Sequence, residues 1–459
     1  MGRLPLRAVT FAALGLLAGC ALRENALRPA ELPVQAKADP ARFVVITVRN
    51  QPQPAVATPG STPRGYAAGG VYGVGASARS VTQSLERDYR LQEVSAWPIE
   101  SLRVHCIVMR LPDLTARAAV IAALAHDARV ESVEPLNQFT TQTATEPAAA
   151  HEARSAPLQK RAYLPLQLNL RELGVLQAHK LSQGAAVRIA IVDTGVDYQH
   201  PDLRGRIIAR RSFVAGDDFA DDRHGTEVAG LIAATADGGQ GLLGVAPKSR
   251  LIALKACWPL PDNAAQAACN SFTLAQALEA AITARADVVN LSLAGPPDPL
   301  LARLIDYGMQ HGIIYVGAVP PPSNGQTDTF PIDVPGVLGV QSAEDAAAAS
   351  RHLLAPGHGI LTLAPGGHYD FASGSSLATA EVTGIVALLL ADGRRLPGAR
   401  VEQILTDSSR QFATPAGILT SVNACAAVAD AMARETCQGI DPPSTRSPVR
   451  PFAVAHAGP

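Results

Sequence analysis

The sequence predicts an α/β protein: a doubly wound, mostly parallel sheet with helices on both faces, preceded by a small α/β domain. Two observations support the larger sheet. Apolar runs without alternation, such as VRIAIV at 187–192, are typical of strands buried on both faces. Between such runs lie segments with helical apolar spacing, such as HGTEVAGLIAA at 224–234. Because ligands of these sheets bind at the carboxyl ends of the strands, residues at those ends are the candidates for a functional site.

Two domains are expected, with linkers before and between them. The smaller spans residues 42–139 and contains a β-α-β pattern, and the larger spans residues 164–436. Ala and Pro recur in the segments 21–41 and 140–163, which are therefore interpreted as linkers, and the tail 437–459 is expected to be disordered. The predicted strands are 43–48, 102–111, 130–135, 187–192, 251–256, 287–293, 313–318 and 337–340. The predicted helices are 114–126, 224–234, 272–285, 299–310, 376–391 and 398–406.

The composition bounds the class of partner. Hydrophobic residues make up 47% of the 459 residues, which is enough for a large core. The net charge of −1 gives no electrostatic basis for binding nucleic acid. No Cys/His spacing typical of a zinc site occurs.

The N-terminus, residues 1–20, has the layout of a secretory signal. Arg3 and Arg7 precede an apolar run that is too short for the about 20 residues a membrane span needs. The run ends in Leu-Ala-Gly-Cys, which resembles a bacterial lipobox and implies lipidation of Cys20. Ala21 after the cysteine would favour the outer membrane of a two-membrane bacterium. The alternative is an ordinary cleaved signal in which this cysteine occurs by chance.

Cysteine usage fits an exported protein. Of the six cysteines, Cys106 lies inside a strand-like run. Four others form two candidate pairs whose members are 12 residues apart, Cys257 with Cys269 and Cys425 with Cys437. An oxidising compartment would let each pair close as a local disulfide, and the alternative is four buried thiols.

Three residues stand where a cleft is expected. Asp193 ends the strand in IAIVD, His224 opens the helix in HGTEVAG, and Ser376 opens the helix in SLATAEV. A serine hydroxyl becomes a nucleophile when a histidine takes its proton and a carboxylate orients that histidine. The positive end of the helix after Ser376 would stabilise the resulting oxyanion. Taken singly, each residue has a structural alternative: a turn residue, a helix-start residue and an N-cap, respectively.

The motifs AIVDTGVDYQHPDL, HGTEVAGLIAA and GSSLATAEVTGIVALLL resemble those of the subtilisin-like serine peptidases, the subtilases. Their chain order, Asp before His before Ser, differs from that of α/β-hydrolases, in which Ser comes first. The resemblance implies a serine endopeptidase with Asp193, His224 and Ser376 as its triad, polypeptide substrates and no cofactor. The stretch DVVNLSLAG resembles the strand that lines the family's substrate groove. It implies substrate binding by Ser292, Leu293, Ala294 and Gly295.

The small domain is similar to the subtilase propeptide, which chaperones and inhibits its enzyme. The similarity rests on the β-α-β layout and on RVESVEPL at 129–136. It implies that the chain is a zymogen and that its own prodomain is a partner.

One family feature is displaced. Prolines stand where subtilases place an oxyanion-hole Asn, and Asn324 follows three residues later. Asn324 is the oxyanion candidate if the loop is remodelled, and the alternative is a turn residue before Gly325. Losing one such donor costs about 10²–10³ in rate, a magnitude measured on subtilisin. Ser375, Ala380 and Ala294 stand where Thr, Pro and Gly are usual in the family.

Four carboxylates precede His224 in the stretch GDDFADDRHG: Asp217, Asp218, Asp221 and Asp222. Carboxylate oxygens suit Ca²⁺, but their spacing matches no EF-hand. We favour a solvated loop over a calcium site and predict no metal.

The sequence therefore predicts an exported serine endopeptidase of the bacterial cell envelope, anchored to the membrane by lipid. Two alternatives stay open. The chain could be a subtilase scaffold that binds peptides with weak or no catalysis, or a surface-assembly factor that cuts only its own linker.

Overall fold

The computed structural model of the chain describes residues 30–52, 72–114, 117–141, 163–216, 219, 222–236, 241–260, 263–320, 329–346, 350–414 and 417–434. The predicted signal with Cys20, most of both predicted linkers and the tail 437–459 lie outside these residues. We refer to residues 30–141 as the N-terminal part and to residues 163–434 as the C-terminal part.

A seven-stranded parallel sheet forms the centre of the C-terminal part. Its strands are β6 (Arg188–Asp193), β7 (Ile207–Ser212), β8 (Arg250–Lys255), β11 (Val288–Leu291), β13 (Ile314–Ala318), β14 (Leu338–Ser342) and β15 (Leu353–Ala355). They lie in the order β15-β14-β13-β11-β6-β8-β7, and every neighbouring pair is parallel. The chain places β7 and β8 on one side of β6 and then β11, β13, β14 and β15 in succession on the other, which confirms the predicted doubly wound sheet.

Helices cover both faces of this sheet. They are α4 (Leu168–Glu172), α5 (Val175–Ala178), α6 (Arg223–Ala233), α7 (Ser271–Thr283), α8 (Pro299–Gln310), α9 (Ser375–Leu390), α10 (Gly398–Ser408) and α11 (Ala424–Ala431). Alternate residues of β6 point to opposite faces of the sheet and pack in two different core clusters. Ile189 and Ile191 belong to the core cluster that contains α6 and α9, while Ala190 and Val192 belong to the one that contains α7 and α8. Because β6 is buried on both sides, its sequence reads as an unbroken apolar run.

The N-terminal part is a four-stranded antiparallel sheet with helices on one face. Its strands are β1 (Phe43–Arg49), β2 (Gln92–Ile99), β3 (Val104–Arg110) and β4 (Ser132–Pro135), in the order β2-β3-β1-β4. The helices on this face are α2 (Ala76–Tyr89) and α3 (Arg117–Ala125), whereas Ala36 of α1 (Val34–Ala38) belongs to the core cluster of α7 and α8. The other face joins the core cluster of α7 and α8, where Trp97 packs edge-on against Phe272 with ring centroids 4.6 Å apart.

The remaining strands belong to small sheets and hairpins. They are β5 (Gln138–Thr141), β9 (Trp258–Leu260), β10 (Asn263–Asn270), β12 (Leu293–Ala294), β16 (Ile360–Ala364), β17 (His368–Ala372), β18 (Arg410–Thr414) and β19 (Gly417–Ser421). Two of these strands, β12 and β5, differ from what the sequence predicts. The strand predicted at 287–293 is split into β11 and β12 at Ser292, and β5 lies at the boundary of the predicted linker 140–163.

Among the described residues, one helical stretch, Ser375–Gly393, is long and apolar enough to cross a membrane. Its apolar window is 89% buried inside the fold, as expected for the central helix of a core.

Candidate active site

Asp193 lies at the carboxyl end of β6, next to the point from which the sheet winds in both directions. Its carboxylate oxygen Oδ1 accepts hydrogen bonds from the backbone N–H of Thr194 at 2.6 Å and from Nδ1 of His224 at 2.7 Å. Asp193 and His224 are each only 1% exposed. The carboxylate therefore fixes which nitrogen of the imidazole carries the proton, leaving Nε2 as the acceptor.

His224 is the second residue of α6, and the start of this helix approaches the loop after β6 closely. A Cβ atom at Gly225 would lie 2.5 Å from the carbonyl oxygen of Gly195, so only glycine permits this approach. Burial acts to lower the pKa of His224, but the charge and hydrogen bond of Asp193, together with the charge of Glu227, outweigh it and raise the pKa. The imidazole is thus placed and polarised to take up a proton.

Ser376 is the second residue of α9 and is fully buried, at 0% exposed. Its Oγ donates a hydrogen bond to the carbonyl oxygen of Ser292 at 3.1 Å, and Oγ of Ser292 donates to the carbonyl oxygen of Ser376 at 3.1 Å. This reciprocal pair joins the start of α9 to the edge of β12. The positive dipole end of α9 lies where negative charge on a reacting oxygen would be stabilised.

The three predicted triad residues thus gather at one edge of the sheet. Asp193 and His224 are in direct contact, and Ser376 is oriented toward Ser292. Within the described part of the chain, Nε2 of His224 is buried and has no hydrogen-bond partner. An unpaired buried acceptor is rare, and here it is the atom that would receive the proton of a serine.

A cleft beside Ser376 is bounded by the strands β12 and β10, and β5 of the N-terminal part fills it. We call this space the β12–β10 cleft. β5 is antiparallel to β12, with Thr141 opposite Leu293 and Thr140 opposite Ala294. On its other side, β5 is antiparallel to β10, with Phe139 opposite Cys269. The cleft therefore accepts an extended strand on both edges, as peptide-binding clefts do.

The side chain of Phe139 is the main anchor of β5. It is 1% exposed and packs edge-on against Phe330 with ring centroids 5.2 Å apart. A Cβ atom at Gly295 would lie 2.3 Å from its ring, so glycine is needed there to admit an aromatic group. Of the predicted substrate residues, Leu293, Ala294 and Gly295 therefore border this strand, and Ser292 contacts Ser376.

The remaining predicted site residues are cysteines, Asn324 and the acidic residues before His224, and the structure describes only some of them. Cys257 and Cys269 form a disulfide, as predicted, and Cys106 is a buried free thiol. Cys425 is also disulfide-bonded, while its predicted partner Cys437 lies outside the described residues. Asn324 and three of the acidic residues, Asp217, Asp218 and Asp221, lie outside them as well. No group of three or more residues that could hold a metal is found within the described segments.

Sequence reasoning missed two features of the site. Lys255 is fully buried, and its Nζ donates to Oδ2 of Asp222 at 2.6 Å; the same oxygen accepts the N–H of Gly195 at 2.8 Å. This bridge braces the loop that follows Asp193. The second is β5, whose short alternation of buried and exposed residues is a weak strand signal.

Comparisons with known proteins agree with this geometry. Residues 184–427, more than half of the chain, match the subtilase family of peptidases. The chain is 33% identical over 245 residues to an intracellular serine protease of Paenibacillus polymyxa, covering 49% of this chain and 72% of the relative. It is 33% identical over 241 residues to a subtilisin of Bacillus pumilus, covering 49% of this chain and 84% of the relative.

Among solved structures, fervidolysin of Fervidobacterium pennivorans, a keratinolytic enzyme related to subtilisin, shares the fold. The TM-score is 0.61 at 22% identity, over 84% of this chain and 60% of fervidolysin. Taken together, the extended family match, the two bacterial relatives and the doubly wound sheet show that this chain belongs to the subtilase family and is a subtilisin-like serine peptidase.

Proposed function

We propose that this chain is the latent precursor of a serine endopeptidase, in which Asp193, His224 and Ser376 form the triad and the N-terminal part is the prodomain. One observation carries the proposal: β5 occupies the β12–β10 cleft beside a serine that is fully buried. Occupation of both strand edges at once excludes an extended substrate from the same place. Substrates of the released enzyme would be polypeptides that bind in the cleft as β5 does.

The mechanism follows from the contacts. The Ser376 side chain would rotate away from the Ser292 carbonyl to bring Oγ to Nε2 of His224, which takes the proton as Oγ forms a bond to the substrate carbonyl carbon. Asp193 keeps Nδ1 protonated and stabilises the imidazolium. The C–N bond then breaks as His224 returns the proton to the leaving amine. His224 next takes a proton from a water molecule whose oxygen forms a bond to the acyl carbon, and it returns that proton to Oγ of Ser376 as the acyl–Oγ bond breaks. The backbone N–H groups at the start of α9 stabilise the oxyanion.

The same cleft supports cleavage of the chain by itself. Thr141 of β5 lies opposite Leu293, the residue that follows Ser292, and Ser292 is hydrogen-bonded to Ser376. The bonds just after Thr141 in sequence are therefore the expected sites of processing. A second candidate function rests on the same observation: the chain could process only itself and act afterwards in surface assembly.

A serine-directed fluorophosphonate probe tests the proposal, with Phe139→Asp as the informative variant. A carboxylate in this buried position loses its solvation without gaining a partner, so β5 should leave the cleft. We expect the probe to label Ser376, identified by peptide mapping, at least about tenfold faster in this variant than in the wild-type chain before processing.

Gln138→Asp is the matched control, because it places the same charge at an exposed position of the same strand. It should label at the wild-type rate. Labelling of a serine other than Ser376, or equal rates in all three chains, would contradict the latent triad. Hydrolysis of unrelated polypeptides by the processed chain separates the endopeptidase from the factor that cuts only itself.

We also propose that the protein is exported and anchored to a membrane by lipid. The signal layout of residues 1–20 supports export, and the lipobox-like end supports a lipid anchor on Cys20. We expect Cys20→Ser to shift the chain from the membrane fraction to the soluble fraction of the cell envelope. The mass of the wild-type N-terminal peptide should include acyl chains, and an unmodified cysteine there would contradict the anchor.

A further inference from the structure

We propose that the Cys257–Cys269 disulfide is a positioning element of the β12–β10 cleft, holding β10 where an extended peptide can pair with it. The inference rests on the proposed function, because it concerns peptides that bind in this cleft. It deepens that function by assigning a part in substrate binding to two residues outside the triad.

Cys257 is the fixed end of the disulfide. It follows β8 by two residues, and its backbone N–H donates to the carbonyl oxygen of Asp193 at 3.0 Å. The N–H of Ala256 donates to the same oxygen at 2.8 Å. Both residues are fully buried in the core. This end of the disulfide is therefore tied to the central sheet, at the residue that orients His224.

Cys269 is the end that faces the cleft. It lies in β10, opposite Phe139 of β5, and the preceding residue Ala268 lies opposite Thr140. The N–H of Ala267 donates to Oγ1 of Thr141 at 3.0 Å. The residues of β10 that contact the bound strand are thus centred on the disulfide.

The hairpin formed by β9 and β10 has few regular backbone pairs apart from the disulfide. Its other strand, β9, has three residues, and the pairing is irregular between Asn263 and Ala267. One of the paired residues is Pro259, which has no N–H to donate. Two-stranded hairpins are marginally stable by themselves, so β10 needs another constraint once β5 has left. The disulfide supplies it close to the point where β10 runs into α7.

The two walls of the cleft contact different parts of a bound strand. β12 pairs with Thr140 and Thr141, the residues nearer to Ser376, whereas β10 pairs with Gln138, Phe139 and Thr140. A short substrate at the positions of Thr140 and Thr141 would make both pairs with β12 but would lack the pairs that Phe139 and Gln138 make with β10. An extended substrate would make all of these pairs. Loss of the disulfide should therefore weaken the binding of extended substrates selectively.

The test compares the processed wild-type enzyme with Cys257→Ala/Cys269→Ala on two substrates, a peptide with five residues before the cleaved bond and a blocked dipeptide ester. For the long peptide, we expect KM to rise about tenfold, the scale of one or two backbone hydrogen bonds, with kcat unchanged. For the ester, both constants should stay within about twofold of wild type. Cys425→Ala, on α11 at a distance from the cleft, is the matched control and should leave the ratio of the two KM values unchanged.

Hydrogen exchange gives a readout that does not depend on activity. In the unprocessed Ser376→Ala chain, the amides of β5 should exchange faster when the disulfide is removed, while those of β1 should not. If the double variant does not fold, a phosphine that reduces the disulfide of the folded Ser376→Ala chain to two thiols serves instead.

Equal changes in KM for both substrates, or unchanged exchange of β5, would overturn the positioning role and leave a purely structural disulfide. Failure of the wild-type enzyme on both substrates would count against the proposed function instead. In that case the exchange of β5 still decides whether the disulfide positions the cleft.

Discussion

Ser376→Ala is expected to lower kcat for peptide hydrolysis by about 10⁶, a factor measured on subtilisin, a relative of this chain. The reason is that alanine has no hydroxyl for His224 to deprotonate, so no acyl-enzyme can form. The same substitution should leave the chain uncleaved after β5, because processing uses the same serine. Steady-state kinetics on a peptide substrate measure the first effect, and the intact mass of the purified chain measures the second.

Ser375→Ala is the matched control for this experiment. The two serines are adjacent at the start of α9 and equally buried, but Oγ of Ser375 faces β14, where it accepts the N–H of Ser342 at 3.4 Å. Its removal should leave kcat within about tenfold of wild type, since one long hydrogen bond is lost. The assignment of the nucleophile would be wrong if Ser375→Ala abolished hydrolysis and Ser376→Ala did not.

The sequence predicts the residues of the site better than it predicts the strand that fills the cleft beside them. Asp193, His224 and Ser376 each sit in a motif with a local cause: a strand end, a helix start and a helix start after a polar turn. Local patterns of this kind can be read without the fold. The helix predicted at 299–310 has the observed bounds of α8, because Asp298 caps it and Pro299 opens it.

β5 could not be predicted in the same way. It has four residues, and its partners β10 and β12 lie more than a hundred residues later in the chain. Pairing over such a separation leaves no periodic signal in either strand. The sequence therefore assigns residues 140 and 141 to a linker, whereas both belong to the strand that fills the cleft.

The helix α2 was missed for another reason. Its residues ASARSVTQSLERDY are rich in Ser and Thr, and the preceding stretch is rich in Gly and Pro, so composition alone suggests a flexible segment. Its buried residues Ala78, Thr82 and Leu85 nevertheless repeat at helical spacing. Small side chains and a threonine on the buried face weaken the apolar signal, although they pack well against β1 and its neighbours.

Asp193→Asn is expected to lower kcat by about 10⁴, the loss seen when the carboxylate of a serine-protease triad becomes an amide. The amide can donate to Nδ1 and so favours the tautomer in which Nε2 carries the proton and cannot take one from Ser376. The pH profile should change as well. In the wild-type enzyme, we expect activity to be lost below the pKa of His224, which Asp193 raises above its usual range against the effect of burial. Without that charge the acid limb of kcat/KM should move to lower pH.

Asp197→Asn separates this effect from simple loss of a buried carboxylate. Asp197 is also buried in the loop after β6, but its oxygens accept backbone N–H groups of Gln199 and Gly366 and none from His224. The variant should lose stability while the folded enzyme keeps its kcat and its acid limb. If both variants lowered kcat equally and neither moved the acid limb, Asp193 would hold the loop rather than orient His224. The contact of 2.7 Å between them would then be structural, and another group would have to set the tautomer.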